Sequence, residues 1–375
     1  MKILYFTFQE RNENDGIYKK LLYQKKALES LGHNVDFISN QKLKNSIDRI
    51  ISYYDKKEKI LNSFSLKWIK LTRYIYFNDI YNEVIKNKYD ILYIRYAQTA
   101  MPFFNNFLKK VKRDSKIKII LEIPTYPYDG ENLKFKGLKK IKLYLEKLYR
   151  KNLYKYIDKI VTFSEDKEIF RIPCINIANG IDLDEVKLIN KNEANEYINF
   201  ISVSAIRYWH GIDRFLYSLL EYKKLGGNEK VKFHIVGEGI DTPKIKKIIE
   251  KNKVLEDIVI LHGAKQGKDL DAIYNISDIA VGSLGFNRIK LEKGSTLKVR
   301  EYCAKGLPFI VGYNDISFSK KLLFYYQVLN DETLLDIDQI IRWYKNLKVT
   351  PEEIRKYAEE NLSWNIQMKK VLKNI

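Results

Sequence analysis

Short apolar segments alternate with longer amphipathic ones along most of the chain, and this alternation narrows the folds available to it. The first apolar segments are KILYFTF (2–8), NVDFIS (34–39), DILYIRY (90–96) and KIKIILEIP (116–124). A helical pattern runs from Ile17 to Leu31 and ends at Gly32-His33, a typical helix stop. Strands that alternate with helices form parallel β-α-β units, so the sequence predicts an α/β protein with a doubly wound sheet.

A second series of the same kind predicts a second domain. Its strands are INFISVSAI (198–206), VKFHIVGEG (231–239), IVILHG (258–263), IAVGSL (279–284) and PFIVG (308–312). A length of 375 residues suits two domains, and two Rossmann-like domains in tandem are the simplest account. The polar stretch after Asp182 sets the boundary. We predict an N-terminal domain over 1–188, a C-terminal domain over 189–352, and a final helical segment, 353–375, that packs back toward the N-terminal domain.

The composition is that of a folded globular protein, with 45% hydrophobic and 30% charged residues. Two cysteines are too few for a disulfide framework and are typical of a reducing compartment. The first residues have the pattern of a strand and not of a signal peptide, and no apolar run is long enough to span a bilayer. These features predict a cytoplasmic protein.

The formal net charge of +20 permits two interpretations. An anionic partner, such as a membrane surface, a nucleic acid or a phosphorylated substrate, would explain it. A genome rich in A and T would also explain it, because Lys, Ile, Asn and Tyr are abundant while Gly and Pro are scarce. The sequence has no RNP, zinc or helix-turn-helix signature, so we expect no nucleic-acid partner.

The segment VGSLGFNRIKLEKGSTLKVREYCAKGLPFI (281–310) carries the most functional information. Ser295 and Thr296 are N-cap residue types, and they predict a helix that continues to Ala304. The first backbone N–H groups of a helix are unpaired and positive, so such an opening can hold a diphosphate. By itself this is a weak signal, because most helices begin in this way and bind nothing.

The same segment resembles the donor-binding segment of the GT-B glycosyltransferases, in particular family 4. In that family two Glu residues separated by seven residues flank a helix opening, and a Gly-x-Pro turn follows. Glu301 matches the second Glu, and Gly306-Leu307-Pro308 matches the turn. The resemblance implies that Glu301 binds the ribose hydroxyls of a nucleotide sugar. The first Glu falls at Lys293, with Glu292 one position earlier, so either Glu292 substitutes through a shifted loop, or sugar recognition differs, or the protein is partly degenerate.

Four other segments are similar to the family in the same order. They are 14–35 with Gly16, 161–182 with VTFSE and NGID, 203–215 with Arg207 and His210, and 234–274 with HIVGEG and LHGAKQGKDLDAIY. The resemblance implies that Gly16 approaches the donor phosphates and that Arg207 and His210 stand where the family has an Arg and a Lys-Gly that bind the diphosphate. It further implies a GT-B fold with the donor and acceptor cleft between the two domains.

Family members transfer a sugar from a nucleotide diphosphate donor, usually with retention and without metal. The resemblance therefore implies a retaining, metal-independent glycosyltransferase with no cofactor apart from the nucleotide sugar. Fixed cations and a helix N-terminus would stabilise the departing diphosphate. The predicted catalytic residues are Arg207, Lys298 and Glu131, although Lys298 also fits a solvated lysine. The predicted donor-binding residues are Gly16, His210, Gly237, Lys265, Lys293, Ser295, Thr296, Leu297 and Glu301. We interpret Asp182-Leu183-Asp184 as a structural turn and predict no metal site.

Acceptor recognition is expected in the N-terminal domain. IRYAQT (94–99) and EIPTYPYDGE (122–131) follow strands, where doubly wound sheets place ligands. Tyrosine faces suit sugar stacking, and a carboxylate there would accept the proton of the acceptor hydroxyl. The predicted acceptor-side residues are Arg95, Tyr126, Tyr128 and Asp129, with Glu131 as a further carboxylate. The same prolines and tyrosines also fit a rigid packed loop.

A basic amphipathic segment covers residues 134–159. Ten Lys or Arg residues accompany an apolar stripe, which comprises Leu138, Ile141, Leu145, Leu148 and Leu153. The stripe faces either the core or an anionic membrane surface. Because family members often act on lipid-linked acceptors, the resemblance implies peripheral association with the inner face of the plasma membrane.

The leading hypothesis is therefore a transferase for polysaccharide or other cell-surface glycan biosynthesis, acting on a glycan or lipid-linked acceptor. Two alternatives remain open. One is a sugar-nucleotide epimerase on the same fold, which would need a carboxylate or His set around the donor, and the four histidines show no such cluster in the sequence. The other is a catalytically degenerate partner subunit, for which Lys293 is the best argument.

Overall fold

The computed structural model describes residues 1–13, 15–65, 76–129, 138–190 and 196–375. The chain divides into two compact units, one of residues 1–178 and 364–375 and the other of residues 179–363. This division falls before the boundary drawn from the sequence at 188/189, and it assigns only the last helix of the predicted 353–375 segment to the first unit. Within the described ranges, every helix is too short or too polar to cross a bilayer.

The first unit is built on one twisted sheet with the order β4-β3-β2-β1-β5-β6-β7-β9-β8. Its strands are β1 (Lys2–Glu10), β2 (Asn34–Lys42), β3 (Ser46–Ser52), β4 (Glu58–Ser65), β5 (Ile91–Arg95), β6 (Lys118–Ile123), β7 (Lys159–Thr162), β8 (Glu168–Ile169) and β9 (Ile172–Asn176). The strands β2, β1, β5, β6, β7 and β9 pair in parallel. The strands β3 and β4 extend the sheet in antiparallel fashion beyond β2, and β8 pairs antiparallel with β9 at the other edge. The sequence predicted the parallel strands, but it missed the antiparallel β3 and β4.

Helices cover this sheet and continue into the C-terminal segment of the chain. They are α1 (Gly16–Ser30), α2 (Asn78–Asn87), α3 (Pro102–Asp114), α4 (Leu138–Arg150) and α12 (Trp364–Lys373). The carboxylate of Asp15 caps α1 by accepting hydrogen bonds from the backbone N–H groups of Ile17 and Tyr18 at 2.6 and 3.2 Å. Trp364 and Met368 are buried in the same apolar cluster as the inner face of α1, so the final helix is part of the first unit.

The second unit contains an all-parallel sheet with the order β12-β11-β10-β13-β15-β17. Its strands are β10 (Ile198–Val203), β11 (Val231–Val236), β12 (Val259–Gly263), β13 (Ile279–Val281), β15 (Phe309–Val311) and β17 (Tyr325–Gln327), and β14 (Lys293–Gly294) pairs separately with β16 (Asn314–Asp315). Its helices are α5 (Ile212–Lys224), α6 (Thr242–Glu250), α7 (Lys253–Ile258), α8 (Gly267–Asn275), α9 (Leu297–Lys305), α10 (Ile337–Lys345) and α11 (Pro351–Asn361). Apolar clusters fill both faces of the sheet, as a doubly wound fold requires.

Both units therefore have the predicted α/β architecture. The helix expected to begin at Thr296 begins at Leu297 with Thr296 as its N-cap residue. The C-terminal amphipathic stretch forms two helices, α11 and α12. Of the apolar contacts expected from its pattern, Ile354, Ala358, Leu362, Trp364 and Met368 are buried, and Tyr357 is half-buried.

Candidate functional site

The strand order of the second unit changes direction between β10 and β13, and ligands of doubly wound sheets bind at the carboxyl ends of such a pair. Two loops meet there, one after β10 and one after β13. The backbone N–H of Leu284 donates to the carbonyl of His210 at 2.9 Å, and that of Gly285 donates to the carbonyl of Trp209 at 3.2 Å. The hydrogen bonds join the two loops into one wall, which carries Arg207 and His210.

Gly211 allows this close approach. Its φ of +68° lies in the left-handed region, and a Cβ atom at this position would stand 2.8 Å from the Cβ of Leu284. Only glycine meets both conditions without strain. The glycine that the resemblance pairs with the family's Lys-Gly therefore has a structural role here, because it fixes the loop that carries Arg207 and His210.

Gly237 holds the same loop from the other side. Its φ is +116°, and a Cβ atom there would lie 2.1 Å from the carbonyl oxygen of Ser204. Next to it, the backbone N–H of Ile206 donates to the carbonyl of Glu238 at 3.2 Å. The turn after β11 thus supports the loop after β10. The role of Gly237 in donor binding remains a prediction.

His210 is a neutral hydrogen-bond donor in this setting. Its Nδ1 accepts the backbone N–H of Arg207 at 3.3 Å, which assigns the ring proton to Nε2. Burial, together with the nearby charges of Lys298 and Arg207, lowers the pKa of His210 to about 2. The imidazole therefore stays uncharged at neutral pH and offers the Nε2 proton as a donor.

Lys298 is the most unusual group of the site. Its Nζ is buried and has no hydrogen-bond partner in the described part of the chain. Burial lowers the pKa of this ammonium group to about 7. A buried cation without a partner is costly, so this position is suited to receive an anion. The sequence left open whether Lys298 is solvated, and the structure places its ammonium group away from solvent.

The start of α9 is uncapped by its own side chains. Thr296, the N-cap residue, makes no capping hydrogen bond, because its hydroxyl lies 2.7 Å from the hydroxyl of Tyr313. The Ser295 hydroxyl accepts the backbone N–H of Asn179 at 2.8 Å. The first N–H groups of α9, including that of Leu297, therefore lack a side-chain cap and carry the positive end of the helix dipole. Lys298 lies on the same first turn.

A buried ion pair fixes α9, and sequence reasoning missed it. Arg300 forms two hydrogen bonds to the carboxylate of Asp315, and its Nε donates to the carbonyl of Asn179 at 3.0 Å. The sequence does contain one indication that Arg300 is buried, which is that it lies between Val299 and Tyr302 in an apolar part of α9. Arg300 and Asp315 are both fully buried, so they orient the helix start and do not face a ligand.

Glu301 lies half-buried one turn further along α9. The hydroxyl of Tyr274 is close enough that the charge of Glu301 contributes to a raised tyrosine pKa, although burial is the larger cause. Lys293 is exposed on β14, and its predecessor Glu292 is exposed as well. Lys265 is exposed in the loop before α8. The roles assigned to these residues remain predictions.

Other parts of the second unit bear on the alternatives. Asp182 and Asp184 form a local turn, in which the N–H of Asp184 donates to the Asp182 carboxylate at 3.2 Å. His234 and His262 are paired, with Nδ1 and Nε2 2.9 Å apart, which the sequence did not foresee. His234 Nε2 lies 3.2 Å from Asn199 Oδ1, near the amino end of β10 and thus away from the loops that carry His210. Among the described residues, no group of three or more His, Cys, Asp or Glu could hold a metal ion.

The predicted acceptor-side residues lie in the first unit, where each has a protein partner or a packing contact. Arg95 Nη1 donates to Glu122 at 2.6 Å. The hydroxyl of buried Tyr128 donates to Glu146 at 2.6 Å. Asp129 pairs with Arg150 at 3.1 Å, and the ring of Tyr126 lies 6.3 Å from that of Tyr128. The hydrogen bonds from Arg150 hold the pKa of Asp129 below its usual value, although partial burial opposes this. Glu131 lies outside the described residues.

Gly16 is the exposed first residue of α1, and the capped N–H groups of Ile17 and Tyr18 follow it. This helix start is therefore already capped by Asp15, unlike that of α9. The contribution of Gly16 to donor binding stays a prediction.

The basic amphipathic segment forms α4, and part of its apolar stripe faces solvent. Ile141, Tyr144 and Leu148 are 57%, 63% and 44% exposed, whereas Leu153 after the helix is buried. Of the other stripe residues, Leu145 is half-buried, and the side chain of Leu138 is not among those that the structure describes. The stripe therefore divides, with one part in the core and one part on the surface.

The chain is similar to known glycosyltransferases in part of its sequence and in its fold. Residues 185–317 match the family described as glycosyl transferases group 1. No curated protein sequence matches the chain significantly. Sucrose-phosphate synthase from Thermosynechococcus elongatus is similar in structure at a TM-score of 0.70 and 13% identity, with 100% of this chain and 99% of that chain covered.

Two further structures show the same likeness. The catalytic domain of starch synthase IV from Arabidopsis thaliana, bound to ADP and acarbose, has a TM-score of 0.62 at 13% identity, with 99% of this chain and 98% of that one covered. WaaG, a glycosyltransferase involved in lipopolysaccharide biosynthesis, has a TM-score of 0.62 at 12% identity, with 99% of each chain covered. At such identities the likeness establishes the fold, which is GT-B, as the sequence resemblance implied.

Proposed function

We propose that this chain, a glycosyltransferase of GT-B fold with a group 1 match over residues 185–317, transfers a sugar from a nucleotide diphosphate donor held by its second unit. The observation that carries the proposal is the buried Lys298 ammonium group, which has no partner in the described part of the chain and lies at the uncapped start of α9. A diphosphate would supply the missing negative charge. The same site argues against a degenerate partner subunit, since an unpaired buried cation is costly unless it binds something.

The donor diphosphate is bound by positive groups from two elements. Lys298 contributes from α9, and Arg207 contributes from the loop after β10. Neutral His210 donates from Nε2, and the backbone N–H of Leu297 adds the helix dipole. The hydroxyl oxygen of Ser295 already accepts the backbone N–H of Asn179, and its own O–H can donate to a diphosphate oxygen. Because charge grows on the diphosphate as the glycosidic bond breaks, these groups stabilise the transition state more than the ground state.

Glu301 binds the ribose of the donor. A carboxylate accepts two hydrogen bonds and so suits a pair of vicinal hydroxyls. Glu301 lies three residues after Lys298 in α9, about one helical turn away. A single helix would therefore recognise both the ribose and the phosphates. Gly237, Lys265, Lys293 and Thr296 complete the proposed donor set, with Lys293 in place of the family's first Glu.

The reaction is proposed to proceed with retention and without a metal ion. The cations that would balance the leaving diphosphate are the side chains of Arg207 and Lys298, so the chain itself supplies the charge that a metal would bring. Full activity in excess chelator, together with product of the same anomeric configuration as the donor by NMR, is the expected result.

The proposed acceptor is a lipid-linked or surface glycan that the first unit binds. The similar protein WaaG is involved in lipopolysaccharide biosynthesis, which supports a lipid-linked acceptor here. Arg95, Tyr126, Tyr128, Asp129 and Glu131 remain the proposed acceptor-side residues. Of these, the carboxylates of Asp129 and Glu131 are the candidates for accepting the hydroxyl proton.

An anionic membrane surface is the proposed place of action, on the cytoplasmic face. The exposed apolar row Ile141, Tyr144 and Leu148 lies on the same helical segment as exposed Lys140 and Lys147. Apolar side chains that insert at the headgroup level and lysines that contact anionic lipids together make a surface-binding helix.

Slow hydrolysis of a panel of nucleotide sugars, measured without acceptor, tests the donor proposal and identifies base and sugar together. The wild-type chain is compared with Arg207→Gln and Lys298→Met. Lys246→Met is the matched control, because Lys246 is exposed on α6. We expect one donor to be hydrolysed by the wild type and the control, and the two site variants to lose at least about tenfold in rate. A panel in which the wild type hydrolyses no donor, or equal rates in all four proteins, would overturn the proposal.

A further inference from the structure

A second site lies in the first unit, at the carboxyl ends of β1, β5 and β6. A cavity of about 580 Å³ opens there, and its walls include Gln9, Arg11, Lys42, Arg95 and Tyr96. The strand order changes direction at this place, because β1 pairs with β2 on one side and with β5 on the other. The cavity therefore occupies the position at which a doubly wound sheet binds its ligand.

Arg95 is the side chain that gives this cavity its chemistry. It is the last residue of β5, and its side chain is 12% exposed. Nη1 donates to the fully buried Glu122 at 2.6 Å, while Nε and Nη2 have no partner in the described ranges. Glu122 thus anchors the guanidinium group through Nη1, while the N–H groups of Nε and Nη2 can donate to a ligand. A pair of such N–H groups suits a carboxylate or a phosphate.

The groups behind Arg95 do not fully neutralise its positive charge. Glu122 also contacts Lys20 Nζ at 3.5 Å, so one carboxylate faces two cations. Gln24 and the hydroxyl of Tyr93 donate to the other oxygen of Glu122 at 2.8 and 2.7 Å and add no charge. Burial lowers the pKa of Lys20 to about 7, so part of one positive charge remains uncompensated near neutral pH. An anion bound to Arg95 would compensate it.

The acidic residues of the cavity wall have partners of their own. Asp15 accepts the N–H groups that begin α1 and the side-chain amide of Gln9 at 3.2 Å. Glu10 also lines the cavity and has interactions of its own. Arg11 pairs with Glu58 at 2.9 Å, whereas Lys42 is exposed at the end of β2. Arg95 and Lys42 are therefore the cations available to a ligand.

We propose that this cavity binds an oxyanion, a phosphate or a carboxylate, carried by the acceptor, with Arg95 as the residue that receives it. The inference rests on the proposed function and narrows its acceptor to anionic glycans or glycolipids. Arg95 is thereby a specificity-determining residue. Its fork of donors selects the anion, and buried Glu122 keeps the fork in place.

Titration calorimetry with small soluble probes tests the inference on the full chain. The probes are glucose 6-phosphate, glucuronate and uncharged glucose, at low ionic strength. The variants are Arg95→Gln, Arg95→Lys, Lys298→Met and Arg113→Gln. Arg113 is 69% exposed and paired with its neighbour Asp114, so its variant matches the charge change of Arg95→Gln outside the cavity.

We expect at least one anionic probe to bind the wild type about tenfold or more tightly than glucose does. Glucose has no anionic group that could accept the charged hydrogen bonds of Arg95. Arg95→Gln should weaken that probe by about tenfold or more, Arg95→Lys should weaken it less, and Lys298→Met and Arg113→Gln should leave it unchanged. The tighter of the two anionic probes identifies the oxyanion as phosphate or carboxylate.

Three results would overturn the inference. These are equal binding of glucose and both anions, no binding of any probe, and a loss in Lys298→Met without one in Arg95→Gln, which would assign the anion to the donor site. Circular dichroism and the midpoint of thermal unfolding show whether Arg95→Gln is folded. Failure of the proposed function itself would appear separately, as a wild-type chain that hydrolyses no nucleotide sugar.

Discussion

Lys298 carries a buried charge whose cost to the fold a bound anion would remove. The ammonium nitrogen is buried, unpartnered in the described structure, and beside Arg207 and His210. Such a group destabilises the fold and at the same time prepares a strong electrostatic contact for an anion. Stability and donor binding should therefore respond to its removal in opposite directions.

Lys298→Met is predicted to raise the free energy of unfolding by about 1 kcal/mol, since it removes an unpaired buried charge while keeping a flexible apolar stem. Affinity for nucleoside diphosphate should fall about tenfold or more. Urea unfolding and titration calorimetry measure the two quantities. A variant that is less stable and binds equally well would show that the ammonium group has a structural partner and no ligand.

The lowered pKa of Lys298, about 7, predicts a pH dependence of donor binding. A bound diphosphate favours the charged form and raises this pKa, so at pH 8 the free protein must take up a proton when it binds. Affinity should therefore decline as the pH rises above 7, and the group should have no such effect well below 7. Calorimetry in buffers of different ionisation enthalpy measures the uptake, and Lys298→Met should lack it.

Glu301→Ala is predicted to weaken nucleotide binding by about tenfold to a hundredfold, because the ribose hydroxyls lose a charged acceptor. Inorganic pyrophosphate has no ribose, so its affinity should hardly change. Comparing the two ligands by calorimetry separates ribose recognition from a general disturbance of α9. Equal losses for both ligands would contradict the assigned role.

At the scale of elements, α4 and α9 differ in what the rest of the fold does with them. The buried Arg300–Asp315 pair fixes α9, and its first turn is left free of side-chain caps. In α4, Ile141, Tyr144 and Leu148 stay exposed on a helix with many lysines. These differences support the proposals that the start of α9 binds a phosphate and that α4 binds a membrane surface.

The paired substitution Ile141→Ser and Leu148→Ser should lower binding to anionic vesicles about tenfold or more, because two side chains that would insert into the interface are lost. Vesicles of neutral lipid should bind weakly in every case. The control is Leu225→Ser with Ile240→Ser, two positions that are 74% exposed in the second unit. Unchanged cosedimentation with anionic vesicles would remove the membrane from the proposed function.

At the scale of the whole molecule, residues 364–375 belong to the same compact unit as residues 1–178. The final helix contributes Trp364, Met368 and Val371 to the core around α1, and all three are at most 3% exposed. The apolar core of the first unit therefore depends on side chains of the final helix.

Deletion of residues 364–375 is predicted to destabilise the first unit by about 5 kcal/mol, the order expected when three large apolar side chains lose their burial. Hydrogen exchange should increase in α1 and β1, while amides of the second unit stay protected. Deletion of residues 374–375 alone keeps α12 and serves as the control. Equal protection of α1 in both deletions would contradict the prediction.

The sequence by itself determined the α/β class, the order of most strands and helices, and the start of α9. These features depend on the period of apolar residues and on cap residue types, which are local properties of the chain. The antiparallel strands β3 (SIDRIIS) and β4 (EKILNSFS) were missed because polar and charged residues interrupt their apolar residues, so neither forms a continuous apolar segment. The family resemblance proposes residues 281–310 as the donor segment, and it could do so because the residues that carry it are close together along the chain.

Only the tertiary structure decided the chemical state of the site residues. It buried the ammonium group of Lys298, made His210 a neutral donor, and brought Lys20 and Arg95 to the same carboxylate oxygen of Glu122. It also left Ile141 and Leu148 on the surface, a choice that the amphipathic pattern of α4 had left open. Burial and charge pairing depend on residues that are far apart along the chain, so these properties exist only once the fold has brought their partners together.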